Sequence, residues 1–215
     1  MKFPVNYMPL EKELEPILCY LKGRVLNAGC GERDISPLLK RAYAVEVDNC
    51  DIQTSLPGAF ICDLTSIPKP DASYDSILCN AVLEHVPDPE AAMIEFHRLL
   101  KEDGFVVIAV PFLQPYHPTP FDYRRYTRTG IEQLAEKTGF RVLHIFPVHS
   151  IVQTLGWILW AYFDEHKNKI AKSFFWLPIY ILTWLFQRET NPNIHSANGF
   201  QAVMQKISID KQNPL

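Results

Sequence analysis

The ten residues from Arg24 to Arg33, R-V-L-N-A-G-C-G-E-R, constrain this chain more than any other stretch. A short apolar strand, Val25 and Leu26, runs into two glycines one residue apart, Gly29 and Gly31. A helix-compatible run follows from Asp34 to Lys40. Glycines at such a turn reach backbone conformations closed to other residues and let a ligand lie close to the main chain. The helix start beyond them offers N–H groups with no partner inside the helix. Strand, glycine turn and helix in that order predict a nucleotide-type site at the carboxyl edge of a parallel sheet. A plain strand-to-helix turn has the same local spelling, so the rest of the chain has to decide.

That remainder alternates strands and helices. Pro9–Lys22 carries Leu10, Leu14, Ile17, Leu18 and Leu21 at helical spacing, which predicts a helix packed on the sheet. Residues 1–8 read as a flexible arm whose rings, Phe3 and Tyr7, would be the ones to fold over a ligand. A helix over Ile35–Arg41 leads to a strand from Tyr43 to Val47, ended by Asp48. An acidic residue there, roughly 20 residues past the glycine turn, suits a ribose-hydroxyl acceptor. Glu46, on the same strand face, is the fallback. Further strands are predicted at Ala59–Cys62, Ser76–Cys79, Phe105–Val110, Phe140–Phe146 and Gly199–Ile207, with helices at Glu90–Leu100 and Thr129–Gly139 and a short helical piece at Val82–Val86. Phe105–Val110 is a near-continuous apolar run of the kind found in central parallel strands. After it, P-F-L-Q-P-Y-H-P-T-P-F-D-Y-R-R-Y-T forms a stiff, ring-rich loop at the strand's carboxyl end, where open α/β sheets place substrates.

A chain of 215 residues suits one domain with an added subdomain. Its net charge of −3 carries no general nucleic-acid footprint. The five cysteines, Cys19, Cys30, Cys50, Cys62 and Cys79, have no paired spacing and read as reduced core or turn residues, neither a disulfide set nor a metal site. With no signal-peptide run at the N-terminus, a cytoplasmic location is expected.

Several of these segments, V-L-N-A-G-C-G-E-R (25–33), V-E-V-D (45–48), C-D-L (62–64), Y-D-S-I-L-C-N-A-V-L-E-H-V (74–86) and R-L-L-K-E-D-G (98–104), together resemble the class I S-adenosylmethionine-dependent methyltransferases, in particular the broad small-molecule group often called type 11. The resemblance implies an α/β, Rossmann-like seven-stranded sheet with helices on both faces and an antiparallel last strand, with S-adenosyl-L-methionine as cofactor. Gly29, Cys30 and Gly31 would pass close to its methionine part, Asp48 would hold the ribose, Asp63 and Leu64 would flank the adenine, and Asn80 would meet the methionine end. Two positions depart from the pattern: Asn27 stands where an acidic residue is usual, and Arg33 where a third glycine is usual. Asn27 can still hydrogen-bond, without a charge; Arg33 would crowd the turn and loosen the helix entry. A dinucleotide reading fails because Asp34 occupies the third glycine's place in G-x-G-x-x-G.

Transfer to a hydroxyl or amine needs a proton acceptor, a task that suits histidine near neutral pH. His117, in the ring-rich loop, ranks first; His85, in L-E-H-V, is second and equally suited to bracing the turn; Asp122 is a base or an orienter. Tyr116, Tyr123, Arg124 and Arg125 are candidate acceptor contacts, with the arginines suited either to an anionic acceptor group or to bracing the loop.

Residues 151–189 interrupt the fold. Ile151–Phe163 and Phe174–Phe186 are two apolar runs around the charged D-E-H-K-N-K, each short of the roughly 20 residues a membrane-spanning helix needs. Trp157, Trp160, Trp176 and Trp184 suit a membrane interface, and Lys167, Lys169, Lys172 and Arg188 suit anionic headgroups. A lid over the pocket and a homodimer contact compete with a peripheral contact on the inner membrane face. The expected division is therefore a methyltransferase domain of residues 1–150 and 190–215 with a helical insertion before the last strand. Its expected reaction is methylation, most plausibly at oxygen, of a small or lipid-linked acceptor; the alternative is a membrane-associated cofactor-binding module without turnover.

Overall fold

The structure, a computed structural model, describes residues 4–165, 169–186 and 194–207. Seven strands form one sheet in the order β3-β2-β1-β4-β5-β7-β6: β1 (Lys22–Ala28), β2 (Tyr43–Asp51), β3 (Phe60–Ile61), β4 (Tyr74–Asn80), β5 (Leu100–Pro111), β6 (Phe140–Val148) and β7 (Gly199–Lys206). Pairings among the first five are parallel, and β7 runs antiparallel to both β5 and β6. The order reverses between β1 and β4, which places a binding crevice above their carboxyl ends.

Strand alternation divides the core in two. Leu26, Ile77, Cys79, Val106 and Ile108 face one side, where they meet Met93 and Phe96 of α3 (Pro89–Leu99) and Ile131 and Leu134 of α4 (Arg128–Lys137). Val25, Leu78, Val107 and Val203 face the other, against Leu14 of α1 (Leu10–Leu14), Ile17 and Leu39 of α2 (Ser36–Ala42). The expected helix over Pro9–Lys22 divides: α1 ends at Leu14 and a 3-10 helix covers Glu15–Tyr20. Pro16, at the start of that second piece, has no N–H to extend the α-helical ladder. Asp88 and Thr127 cap α3 and α4 by accepting from Ala91 and Gly130 N–H.

The late apolar block is a hairpin of α5 (Ile151–Glu165) and α6 (Lys169–Phe186). Its helices meet closely at Gly156, where an added Cβ would lie 3.1 Å from Thr183 Cγ2 and 3.2 Å from Ile179 Cγ2. The hairpin buries the polar Gln153, Thr154 and Thr183 together with Trp160 and Ile179, whereas Leu155, Phe174 and Leu185 are 56%, 72% and 60% exposed. The N-terminal arm is not loose over its described residues. Asn6 donates from N to Thr183 Oγ1 and from Nδ2 to the Tyr180 carbonyl, and Tyr7 packs 4.6 Å from the His149 ring. Phe3, Lys167 and Arg188 lie outside the described residues.

Candidate active site

The glycine turn closes β1 as expected. The N–H groups of Gly29 and Cys30 both donate to the Cys50 carbonyl, at 2.8 and 3.0 Å. Gly29 has φ of +78°, and a Cβ there would stand 2.3 Å from Val82 Cγ2, so no other residue fits without movement of that neighbour. Gly31 also has positive φ, but an added Cβ would meet no atom within 4 Å. Its N–H donates to Asp51 Oδ2 at 2.8 Å. Cys30 is buried with its thiol on the Gly31 carbonyl. Arg33 does not crowd the turn: its guanidinium reaches away to Glu11 at 2.9 Å, and α2 begins only at Ser36.

Asp48 is displaced from its expected place. β2 continues three residues beyond it, so Asp48 lies within the strand, opposite Leu26. There it accepts from Arg24 at 2.9 Å and the Tyr74 hydroxyl at 2.7 Å, with Lys69 at 3.5 Å. The strand-end position that a ribose acceptor needs is held by Asp51. Glu46 stays on the outer part of the strand, 3.5 Å from Arg24 Nε. Asn27 is buried and donates to Asn49, which in turn donates to Ser36. Asp63 receives the N–H and hydroxyl of Thr65, both at 2.8 Å, in a turn after β3, and Leu64 is buried in the core. Asn80 ends β4, and its Oδ1 is buried with no hydrogen-bond partner among the described residues.

The ring-rich loop folds back over the L-E-H-V segment, a 3-10 turn at Leu83–His85. Tyr123 N–H donates to the Glu84 carbonyl, the Tyr126 hydroxyl to the Leu83 carbonyl and Arg124 to the Val86 carbonyl. His85 and His117 thereby come together with ring centroids 5.4 Å apart, and Trp157 of α5 stands 5.3 Å from His117. Asp122 is placed to orient the loop. Its fully buried carboxylate accepts from both terminal nitrogens of Arg125, at 2.5 and 2.6 Å, and from the His117 N–H at 2.8 Å. The Arg125 guanidinium holds that carboxyl down at about 2, so it cannot serve as a base near neutral pH. Arg125 also donates to the Gln114 and Pro115 carbonyls, which makes it the brace of the loop, while both arginines line the same surface cavity.

Beneath the two imidazoles lies Glu84, 1% exposed. Its Oε1 is 3.9 Å from His85 Nε2 and 4.0 Å from His117 Nε2. Burial raises the affinity of this carboxyl for its proton. Tyr116, Tyr123, Arg124 and Gln114 line a surface cavity of about 350 Å³ next to this cluster. A larger cleft of about 810 Å³ lies between Phe112–Tyr116 and the Ile158, Ala161 and Tyr162 face of α5.

A family profile described as a methyltransferase domain matches residues 8–145, more than half of the chain. The chain belongs to the methyltransferase domain family. It is built on the class I S-adenosylmethionine-dependent methyltransferase fold. A protein of Mycolicibacterium smegmatis named as a probable S-adenosylmethionine-dependent methyltransferase is 28% identical over 133 residues, covering 55% of this chain and 52% of its own. A ubiquinone biosynthesis O-methyltransferase of Coxiella burnetii is 26% identical over 178 residues, 68% of this chain and 74% of its own. Among solved structures, the Burkholderia thailandensis 1,6-didemethyltoxoflavin-N1-methyltransferase with S-adenosylhomocysteine bound superposes with a TM-score of 0.59 at 17% identity, covering 93% of this chain and 77% of that one. The chain spans about half the length of the first of these curated relatives.

The methyltransferase domain's crevice fits the family cofactor. Gly31 leaves open the space that a Cβ would fill, Asp51 offers a carboxylate at the strand end, and the unpartnered Asn80 Oδ1 calls for a donor such as an ammonium. Two residues of the site were not singled out by sequence reasoning. Asp51 was signalled by the second acid in V-D-N-C-D, and Glu84 by its place beside His85 in L-E-H-V.

Proposed function

We propose that this domain transfers a methyl group from S-adenosylmethionine to an oxygen of a small or lipid-linked acceptor. The cofactor supplies the electrophilic methyl carbon, and the protein positions the acceptor and takes its proton. Asp51 receives the ribose hydroxyls, Asn80 Oδ1 the amino group, and the backbone of Gly29, Cys30 and Gly31 lies against the methionine part. Asp63 and Leu64 stand at the adenine end.

His117 is the proton acceptor. Its Nδ1 lies 2.8 Å from the Pro115 carbonyl and 3.3 Å from Arg125 Nη2; with the ring proton assigned to Nδ1 for the shorter, accepting partner, Nε2 keeps its lone pair. This is the observation that carries the reading. Asp122, on the His117 N–H, and Arg125 hold the ring's position, and His85 stands second. Tyr116, Tyr123 and Arg124 line the adjoining cavity as acceptor contacts.

The hairpin supports an apolar acceptor. A surface that buries glutamine and threonine while exposing Leu155, Phe174 and Leu185 is matched to an apolar environment. No helix among the described residues is long and apolar enough to cross a membrane; the contact in this reading is peripheral, at a membrane surface. The Coxiella relative, named for O-methylation in ubiquinone biosynthesis, supports both oxygen and an apolar acceptor.

The test is incubation with methyl-labelled S-adenosylmethionine and, in parallel, lipid and aqueous extracts. Label is expected in a lipid product, and His117→Ala should lower turnover about 100-fold or more with little change in S-adenosylhomocysteine affinity. Tight cofactor binding with no transfer to either extract would favour the binding module instead.

A further inference from the structure

The meeting of L-E-H-V with the ring-rich loop does more than place a base. Glu84, His85 and His117 each bring a ligand-type atom within 4.8 Å of the other two. Both imidazoles are fixed from behind: His85 Nδ1 is 2.5 Å from the Phe121 carbonyl and His117 Nδ1 is 2.8 Å from the Pro115 carbonyl. With the ring proton assigned to Nδ1 in each, the Nε2 atoms are the nitrogens left to bind, both on the side of the Glu84 carboxyl. At 3.9 and 4.0 Å neither ring nitrogen hydrogen-bonds Oε1. Glu84 is nearly fully buried, and its Oε2 has no hydrogen-bond partner among the described residues. Two imidazole nitrogens and a buried carboxyl meet here, and a cation between them would engage all three by displacing the proton that burial favours on Glu84. Histidine ligands are commonly oriented in this way, by the other ring N–H on a carbonyl.

We propose that Glu84, His85 and His117 bind a divalent cation of the zinc class through two imidazole nitrogens and one carboxylate oxygen. Such a mixed set suits zinc and its first-row neighbours, whereas magnesium and calcium prefer oxygen throughout. Bonds of about 2.0–2.2 Å require ligand atoms roughly 3.3–3.6 Å apart in a tetrahedral site, so the two carboxylate–imidazole separations of 3.9 and 4.0 Å close by about half an ångström. The imidazoles keep 17% and 25% of their side-chain surface exposed above a buried carboxylate. The solvent side is thus left for a further ligand, a water or an oxygen of a bound molecule. The inference concerns binding by the resting protein and goes beyond the methyl-transfer reading.

Cobalt(II) titration of the metal-stripped full chain tests it. One equivalent should bind per chain, with the weak visible bands of nitrogen and oxygen ligation. The intense thiolate band that the five free cysteines would give should be missing. Glu84→Gln, which preserves the shape of the buried side chain, and His117→Ala, in the loop, should each weaken binding at least about tenfold. Circular dichroism checks each fold, and two variants guard against one failing to fold. Absence of a one-equivalent site, a thiolate spectrum, or unchanged affinity in both folded variants would overturn the proposal. No cofactor or turnover enters the measurement, so its failure leaves the methyl-transfer reading untouched; its success keeps the cofactor site of that reading but occupies His117 Nε2, and so moves proton removal off that nitrogen.

Discussion

Two aspartates three residues apart make opposite predictions for cofactor binding. Asp51 ends β2 and holds the Gly31 N–H at 2.8 Å, at the carboxyl edge. Asp48 lies inside the strand, engaged by Arg24, Tyr74 and Lys69. A carboxylate that accepts from a ribose hydroxyl makes a charge-assisted bond of about 1.5–3 kcal/mol. Losing one such bond corresponds to roughly a ten- to 150-fold rise in Kd. Asp51→Asn keeps an oxygen for the Gly31 amide at the cost of the charge and of the bond from Gln53 N–H to the other oxygen, so thermal stability is measured alongside to separate the ligand contact from the turn. Asp48→Asn leaves Arg24 and Lys69 short of a counter-charge and should show as lowered thermal stability, with S-adenosylhomocysteine affinity nearly intact. Calorimetric titration of both folded variants decides between them. If Asp48→Asn abolishes binding while Asp51→Asn binds as the parent does, the strand register has been misapplied and the ribose assignment returns to Asp48.

Acid should weaken the ion pair that braces the loop. Arg125 holds Asp122 at about 2, below its ordinary value of 3.8. The folded form's lower value means the stabilisation, about 2 kcal/mol, is fully present above about pH 4 and fades as pH falls towards 2. Urea unfolding from pH 5 downward should show Asp122→Asn less stable than the parent by a margin that narrows across that window; a constant margin would refute the ion pair's part. For the hairpin, Phe174→Glu with Leu185→Glu should cut flotation with anionic vesicles while leaving thermal stability close to the parent, because both rows face outward. A parent protein that ignores vesicles but sediments as a dimer split by the same changes would assign the face to a second copy.

The sheet was legible because its strands spell their burial directly. Ile77, Leu78 and Cys79, or Val106, Val107 and Ile108, are apolar on both sides and sit where both faces are covered. The same rule misplaces the end of β2. Asn49, Cys50 and Asp51 look like turn residues, yet pairing of Asn27 with Asn49 and of Ala28 with Cys50 carries the strand on. A neighbouring strand supplies that information, and local propensity does not contain it. The two arginines show the limit more sharply. Arg124 and Arg125 are adjacent and chemically alike, but only Arg125 meets the buried Asp122 carboxylate, because the loop's path decides which guanidinium turns inward. Glu84 follows the same logic. In the sequence it is one acid beside a histidine; burial against the returning loop changes its chemistry. The candidate cofactor cradle is written in contiguous residues and could be read, whereas the acceptor side is assembled from L-E-H-V, the ring-rich loop and Trp157 of α5. Its chemistry exists only once those three segments meet, which is why variants in that cluster, more than in the glycine turn, will separate what this domain does from what its relatives do.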